Sequence, residues 1–547
     1  MDSDTEYQKT YKRVLNKDSN LRTEPKFIVF LTQLLHLFKF CSTCKSDDVL
    51  VNVVEVGTMA QVKVTCSNLK CGKKDTTWNS QPPMTGTSIP AGNLLLSFGI
   101  LTSGTSATKV TRALKHMGLS CISLRTYFLH QREKLYPALL IYWREYQAKI
   151  MEELKACQNS LTIAGDGRHD SMGHSAKYCA YTTFCCTVPK IIDFSLVQRN
   201  EVGNSTGMEF EGFQRSMDFL ESQNIPISTL ITDRHSKIAK HMREKRPNIT
   251  HYFDLWHLTK KVTKVLAKIA KYAGCESILE WIKPCCNHLY WSATTTLSGN
   301  GKVIVAKFKS FLGHVKNKHS GFSDPLFDKY SVAYNKMYGL NQAQVVAGIM
   351  KASPLSQTSS LEGFHSVVNQ FSPKMISYSF PGMFCRHVLA VVHFNSNLDR
   401  ENCEKNGTTQ VKVHYPKFKN GEAVVRNVKV AQNFEYIEDI YQVMLSAIQE
   451  DKLDKARNDI KQMTPLPMNT MLEKQSKVDA ILKKARRQSM TTLNVPPTNP
   501  VEEVVTTPEN SRPKKRAKPR CSLCKNHMDG HKNVTNCPRN KTQSNST

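Results

Sequence analysis

Three acidic residues stand where carboxylates do metal chemistry. In "LTIAGDGRHDS", residues 161–171, Asp166 follows an apolar, strand-like run. Asp233 ends a second such run, "ISTLITD", and Glu362 lies in the helix-like stretch "SSLEGFHSVVNQF". If the two strands are neighbours, Asp166 and Asp233 face one another, and like charges that close do not both ionise cheaply without a cation. Magnesium or manganese takes oxygen ligands and keeps waters for phosphate, so carboxylates on a rigid sheet edge suit two-metal phosphoryl transfer. Each acid also has a plain structural use. Asp166 and Asp233 suit caps of turns or helices, Asp170 suits a pair with Arg168 and rivals Asp166 as the first acid, and Ser359-x-x-Glu362 reads as a capping box. Asp193 and Glu209 are weaker candidates, the latter in a second capping box, Thr206-x-x-Glu209. His169, His174 and His235 lie near the proposed centre, but no spacing commits them to it.

Two cysteine sets carry a different chemistry. Cys41-x2-Cys44 and Cys66-x4-Cys71 bracket the alternating stretches "VLVNVVEV" and "QVKVTC", the pattern by which a zinc ribbon supplies four thiolates to Zn²⁺. Reduced structural thiols are the alternative. Near the end, Cys521, Cys524, His531 and Cys537 space out as a second zinc knuckle, with His527 as a competing ligand. The remaining ten of seventeen cysteines form no paired framework and read as reduced, buried thiols.

The elements that must position these groups follow from periodicity. Short β-rich runs begin at Leu161 ("LTIAGD", "KYCAYTTFCC", "KIIDFSLVQ"), and an amphipathic helix over Phe210, Phe213, Met217 and Leu220 leads to further strands alternating with helices. The predicted fold class is α/β, a ribonuclease-H-like mixed sheet. The map is a polar lead (residues 1–25), a zinc-ribbon-like module (26–82), a helical region and connector (90–158), the first part of the core (159–272), a helical insertion (273–351), the final core helix region (352–400), a mixed region (401–489), a disordered linker with a basic cluster (490–520) and the knuckle (521–540). Within the helical region a turn at Gly118-Leu119 suggests a helix-turn-helix, and "EKLYPALLIYWREYQAKIMEELKACQ" reads as a charged connecting helix.

Charge bounds the partners. The net charge is +29, and from Asp451 onward 20 Lys and Arg face 9 Asp and Glu, so most of the excess belongs to the body of the chain. A balance of this kind favours polyanions such as DNA, with RNA less favoured. "SRPKKRAKPR" reads as a nuclear address. The polar N-terminus carries no apolar signal segment, and the longest apolar run, "FIVFLTQLLHLFKF", is interrupted by polar residues and too short to span a bilayer, so no membrane partner is expected.

At "DGRHDSMGHSAKYCAYT", "DFSLVQRNEVGNSTGME", "LITDRHSKIAKHMRE", "HYFDLWHLTKK" and "SLEGFHSVVNQFSPK" the chain resembles a DDE cut-and-paste transposase of the Kolobok type. The resemblance implies a catalytic triad at Asp166, Asp233 and Glu362 holding Mg²⁺ or Mn²⁺, DNA as partner, a homo-oligomer that pairs two ends, and a nuclear location. Asp254-x-x-His257 matches an acid-to-histidine spacing of several eukaryotic transposase groups, in a supporting rather than a ligating role; Asp254 also reads as a simple N-cap. The THAP zinc domain with which such transposases commonly begin has no matching cysteine and histidine spacing here. The alternative is a domesticated, catalytically inactive relative acting as a nuclear DNA-binding or chromatin factor.

Overall fold

The computed structural model describes residues 20–157, 159–172, 175–315, 343–354, 359–417, 421–471 and 475–490, together with Cys524. Of the second zinc set, Cys521, His531 and Cys537 lie outside the described residues, as do the linker and its basic cluster. The chain divides into two compact units, Met1–Leu472 and Glu473–Thr547. Among the described residues no helix is long and apolar enough to cross a membrane.

After a short helix α1 (Leu31–Leu35), strands β1 (Val49–Val56), β2 (Met59–Cys66) and β3 (Asp75–Asn79) form an antiparallel sheet in the order β1-β2-β3. Helices α2 (Ala91–Thr102), α3 (Ala107–His116) and α4 (Leu124–His130) follow. The expected turn between α3 and α4 is present, with Gly118 at φ +71°, a value that glycine reaches without steric cost. Ser123 caps α4 by accepting a bond from the Thr126 amide.

Through a π-helical turn at Gln131–Leu135, α4 runs on into α5 (Tyr136–Ala156). The connector reading of α5 is wrong. Leu139, Leu140, Trp143, Ile150 and Leu154 are all buried, and α5 packs against three other helices of the same core. The charges that suggested a solvated connector fall on its outer face, where Arg144 meets Asp459 at 2.5 Å.

The central sheet takes the order β6-β5-β4-β7-β8, from β4 (Leu161–His169), β5 (Tyr178–Cys185), β6 (Lys190–Gln198), β7 (Ile227–Thr232) and β8 (Thr250–Phe253). The β4-β5 and β5-β6 pairs are antiparallel and the β4-β7 and β7-β8 pairs parallel, so the sheet is mixed. Helices α6 (Arg199–Val202) and α7 (Met208–Ser222) connect β6 to β7, α8 (Ser236–Lys245) connects β7 to β8, and α9 (Leu255–Ile269) leaves the sheet. Phe213, Met217 and Leu220 of α7 are fully buried against β4 and β5, as their spacing predicts.

Helices α10 (Ile278–Thr294), α11 (Gly301–Lys309), α12 (Phe311–Val315) and α13 (Ala343–Ile349) build a separate apolar cluster with α9 around Leu258, Val262, Leu289 and Ile304. The chain then returns to the sheet through α14 (Ser359–Phe371) and α15 (Phe380–Asn397). Helix α15 is apolar on nearly all sides and correspondingly buried. Four short strands, β9 (Glu404–Lys405), β10 (Thr408–Thr409), β11 (Val411–His414) and β12 (Val424–Asn427), form two exposed hairpins before α16 (Tyr436–Gln449) and α17 (Leu453–Met463) close over α5. In the second unit α18 (Lys477–Met490) is an amphipathic, basic helix.

One junction ties the N-terminal helices to α14. Arg386 of α15 is buried and donates from Nη1 to the carbonyls of Phe371, at 2.7 Å, and Gly104, at 3.4 Å. Gly104 has φ +71°, and a Cβ there would lie 2.5 Å from the Gln370 carbonyl oxygen. Gly104→Ala is expected to cost about 2 kcal/mol or more, from left-handed strain and the clash together, read as a lower urea midpoint with an unchanged slope.

Candidate functional site

Asp166 lies inside β4, not at its end as the sequence pattern suggested. The strand continues through Gly167 and Arg168 to His169 because pairing with β5 persists, Gly167 against Tyr181 and His169 against Cys179. On its other side the parallel ladder with β7 stops at Gly165 and Thr232. Asp166 and Asp233 are therefore the next residues along two adjacent parallel strands, which run about 4.8 Å apart. The Asp233 carboxylate accepts from the His235 amide at 2.9 Å, which fixes the turn out of β7.

Glu362 sits in the first turn of α14 and is exposed. Its helix is joined to β4 by Arg168, whose buried guanidinium donates to Asn369 Oδ1 at 2.5 Å and to the Ser372 carbonyl at 3.0 Å. Arg168 points inward and holds α14 in place.

Asp170 is not a rival for the first acid. Its carboxylate accepts from the amides of Lys177 at 2.9 Å and Tyr178 at 3.2 Å, closing the β4-β5 loop. Asp193, on β6, is buried two strands away and bonds Gln147 at 3.0 Å. His169 contacts the Ser205 carbonyl at 3.2 Å and His235 caps α8, so both serve local structure. His174 lies outside the described residues.

Two further groups lie at the centre: Glu209, a weaker candidate by its sequence, and His365, which sequence spacing did not single out. Glu209 does not close the expected capping box: Asn204 caps this turn, and Glu209 folds inward over β4. Its Cγ lies 2.5 Å from where a Cβ on Gly167 would stand, so the missing side chain is what makes room for it. His365, one turn after Glu362 on α14, brings Nδ1 to 3.7 Å from an Asp166 carboxylate oxygen. Burial and then the nearby Arg168 charge push its imidazole down to about 3, so it is neutral at physiological pH.

The electrostatics match the crowding. Burial, then Asp233, push Asp166 up to about 7, with Glu362 adding to the rise. Burial, then Asp233 and Asp166, push Glu209 up to about 8. Asp254 is fully buried, caps α9 through the His257 amide and bonds His257 Nδ1 at 3.1 Å. That bond raises His257 above its ordinary value, with the charges of Asp166 and Asp233 contributing. The cap and the supporting contact are thus one feature, and the charges of Asp166 and Asp233 act on the same imidazole.

Asp166 and Glu209 thus keep their protons up to near-neutral pH, and oxygen donors of this kind are those that Mg²⁺ or Mn²⁺ takes. Asp166, Asp233 and Glu362 would hold it, with Glu209 adjoining. Their oxygens are not drawn into a single tight cluster. Among the described residues the set of three or more ligand atoms lying within 4.8 Å of one another is Cys41, Cys44, Cys66 and Cys71.

The four cysteines do converge. Cys41 and Cys71 Sγ are 3.7 Å apart and Cys44 and Cys66 Sγ 3.6 Å, and none is in a disulfide. A tetrahedron of thiolates about 2.3 Å from zinc has sulfurs about 3.8 Å apart, so the set is compatible with Zn²⁺. The amides of Cys44 and Thr43 hold the Cys41 thiol down to about 6, and Lys45 takes φ 62° to complete the turn.

No family model matches the chain, and no curated protein matches it.

Two outcomes follow. Because the carboxyl values of Asp166 and Glu209 are raised, their contribution to metal-free stability is full below about pH 4 and is lost as pH rises through 7 and 8. Asp166→Asn is therefore expected to stabilise the metal-free protein at pH 8 by about 1–3 kcal/mol and to change little at pH 4, measured by urea unfolding at both. Metal analysis of the purified chain is expected to find zinc, and Cys44→Ser to lose it together with thermal stability; full retention of both in the variant would rule the cysteine set out as the zinc site.

Proposed function

We propose that this chain is a metal-dependent DNA strand-cleaving and strand-transferring protein of the DDE transposase type, with a ribonuclease-H-like core and the triad Asp166, Asp233 and Glu362. The observation that carries the reading is the placement of Asp166 and Asp233 side by side on β4 and β7, with the helix of Glu362 bolted to the same strand through Arg168. The strand order, three antiparallel strands leading into two parallel ones, is the order that this fold requires. The net charge of +29 and the lysines of α9, Lys260, Lys261, Lys264 and Lys268, which follow His257 along the helix, suit a polyanionic substrate. The Kolobok-type resemblance and the basic segment of residues 511–520 make DNA in the nucleus the setting, and pairing of two ends makes a homo-oligomer the working form.

Mg²⁺ or Mn²⁺, when bound, supplies a lowered pKa for an attacking water or 3′-hydroxyl and charge stabilisation for the leaving oxygen. The protein's part is to present the ligands in fixed positions. Asp166 releases its proton near neutral pH as a cation takes its place. His365, being neutral, does not compete for that carboxylate by forming an ion pair. His257, whose proton affinity Asp254 raises, would when protonated set positive potential beside the acids, where a phosphate can approach without meeting only negative charge. Arg168 fixes the distance between β4 and α14, on which in-line geometry depends.

The test is nicking of a supercoiled plasmid in Mg²⁺ or Mn²⁺ by the wild type beside Asp166→Asn, Asp233→Asn and Glu362→Gln. Metal-dependent cleavage is expected, lower by about 100-fold or more in each variant. Duplex binding with no cleavage by any form would instead identify a domesticated DNA-binding protein, and a strong preference for RNA would count against both.

A further inference from the structure

The excursion between α15 and α16 contains a small, highly exposed β-ribbon. Strands β11 and β12 pair antiparallel, Val411 with Asn427, Lys412 with Arg426, Val413 with Val425 and His414 with Val424. Because side chains alternate across a strand, Lys412, Arg426 and His414 share one face, and Val411, Val413 and Val425 share the other. The ribbon is not loosely attached. The Cys403 amide donates to the Val428 carbonyl at 2.7 Å, Val428 to Gln410 at 2.8 Å, and Val430 to Glu401 at 3.0 Å, which root its base in the chain beside α15.

Lys412 and Arg426 stand directly opposite each other, an arrangement that destabilises an isolated hairpin. A single lysine on an edge strand is explained as protection against stray pairing; two facing cations, both exposed, are not. Across residues 405–430 the sequence has six Lys and Arg and one acid, Glu422, in the connection between the strands. Within the paired strands both cations, Lys412 and Arg426, lie on one face of a rooted ribbon.

We propose that this ribbon is a duplex-DNA contact, lying in the major groove with the Lys412, His414 and Arg426 face toward the bases and phosphates. Two strands about 4.8 Å apart with their side chains are close to the roughly 12 Å width of that groove, which admits a two-stranded ribbon. The deep, narrow major groove of A-form RNA does not admit one. Inserted the other way, the ribbon would offer methyl groups to the phosphates and leave its cations in water, so charge fixes the orientation. The choice of DNA rests on the function proposed above, whereas the placement of the charge does not.

The test uses the full chain in EDTA and a labelled DNA duplex of mixed sequence, about three helical turns long, over a potassium chloride series. The Lys412→Gln, Arg426→Gln double variant is expected to bind about tenfold more weakly at physiological salt, with a log–log salt slope shallower by about two, as for two lost phosphate contacts. Lys412→Arg, which keeps the charge, is expected to keep the wild-type slope. Unchanged affinity and slope in the double variant overturn the proposal, and so does an RNA duplex that binds as tightly and loses as much. Plasmid nicking by the same proteins separates the two readings: a slope change without wild-type nicking keeps the ribbon and removes the cleavage function, and nicking with no slope change does the reverse.

Discussion

Mutual repulsion among carboxyl groups in a poorly solvated pocket is the constraint around which the core is arranged. Asp233 raises the affinity of Asp166 and of Glu209 for protons, Asp166 adds to the effect on Glu209, and Glu362 adds to the effect on Asp166. Left to themselves these side chains would separate into solvent, so something must hold each backbone. Sheet pairing does so for Asp166 and Asp233, Gly167 opens the space that Glu209 fills, and Arg168 holds α14. Each of these devices lies within three residues of Asp166, and none of them touches solvent to any great extent.

That concentration explains a feature of β4 that looks odd locally. "AGDGRH" would be a poor strand by propensity, with two glycines and two basic residues in six positions. Tyr181 lies beneath Gly165, its hydroxyl 2.1 Å from where a Cβ would be, and Glu209 lies over Gly167. The glycines are therefore positions where neighbours need the volume. Local strand propensity is overridden by antiparallel pairing with β5, which is buried along its whole length.

The parts of this arrangement that were legible in the sequence are those that local pattern encodes. Asp166 and Asp233 were visible as acids following apolar runs, Glu362 as an acid on an amphipathic helix, and the four N-terminal cysteines as two spaced pairs; the mixed α/β class followed from the order of strands and helices. What was not legible depends on long-range partners. Glu209 looked like a cap because Thr206-x-x-Glu209 fits the local rule, and only the vacancy over Gly167, some forty residues earlier, draws it inward. Arg168 had Asp170 as its only local partner in sequence, whereas its bonds go to Asn369 and Ser372, and α5 looked like a connector until α16 and α17 covered it. One local signal was simply passed over: Asn406 and Gly407 both take positive φ in the β9-β10 hairpin, the behaviour that Asn-Gly turns advertise in sequence.

The distribution of charge has the same logic at larger scale. A centre that concentrates negative charge repels a polyanion, so a protein bringing the two together needs compensation at two ranges. At short range the proposed cation among the acids would supply it, beside His257, whose proton affinity Asp254 raises. At long range it must come from surfaces that do not collapse onto the acids and neutralise them. Cations on α9 and on the β11-β12 ribbon meet that need, because each is held on its own hydrogen-bonded element and cannot fold back into the pocket. Salt screens the outer charges within about 8–10 Å while the buried pocket is screened far less. Ionic strength is thus predicted to act on the approach of a nucleic acid and pH on the readiness of the acids, two controls that the fold keeps apart by placing them on different elements.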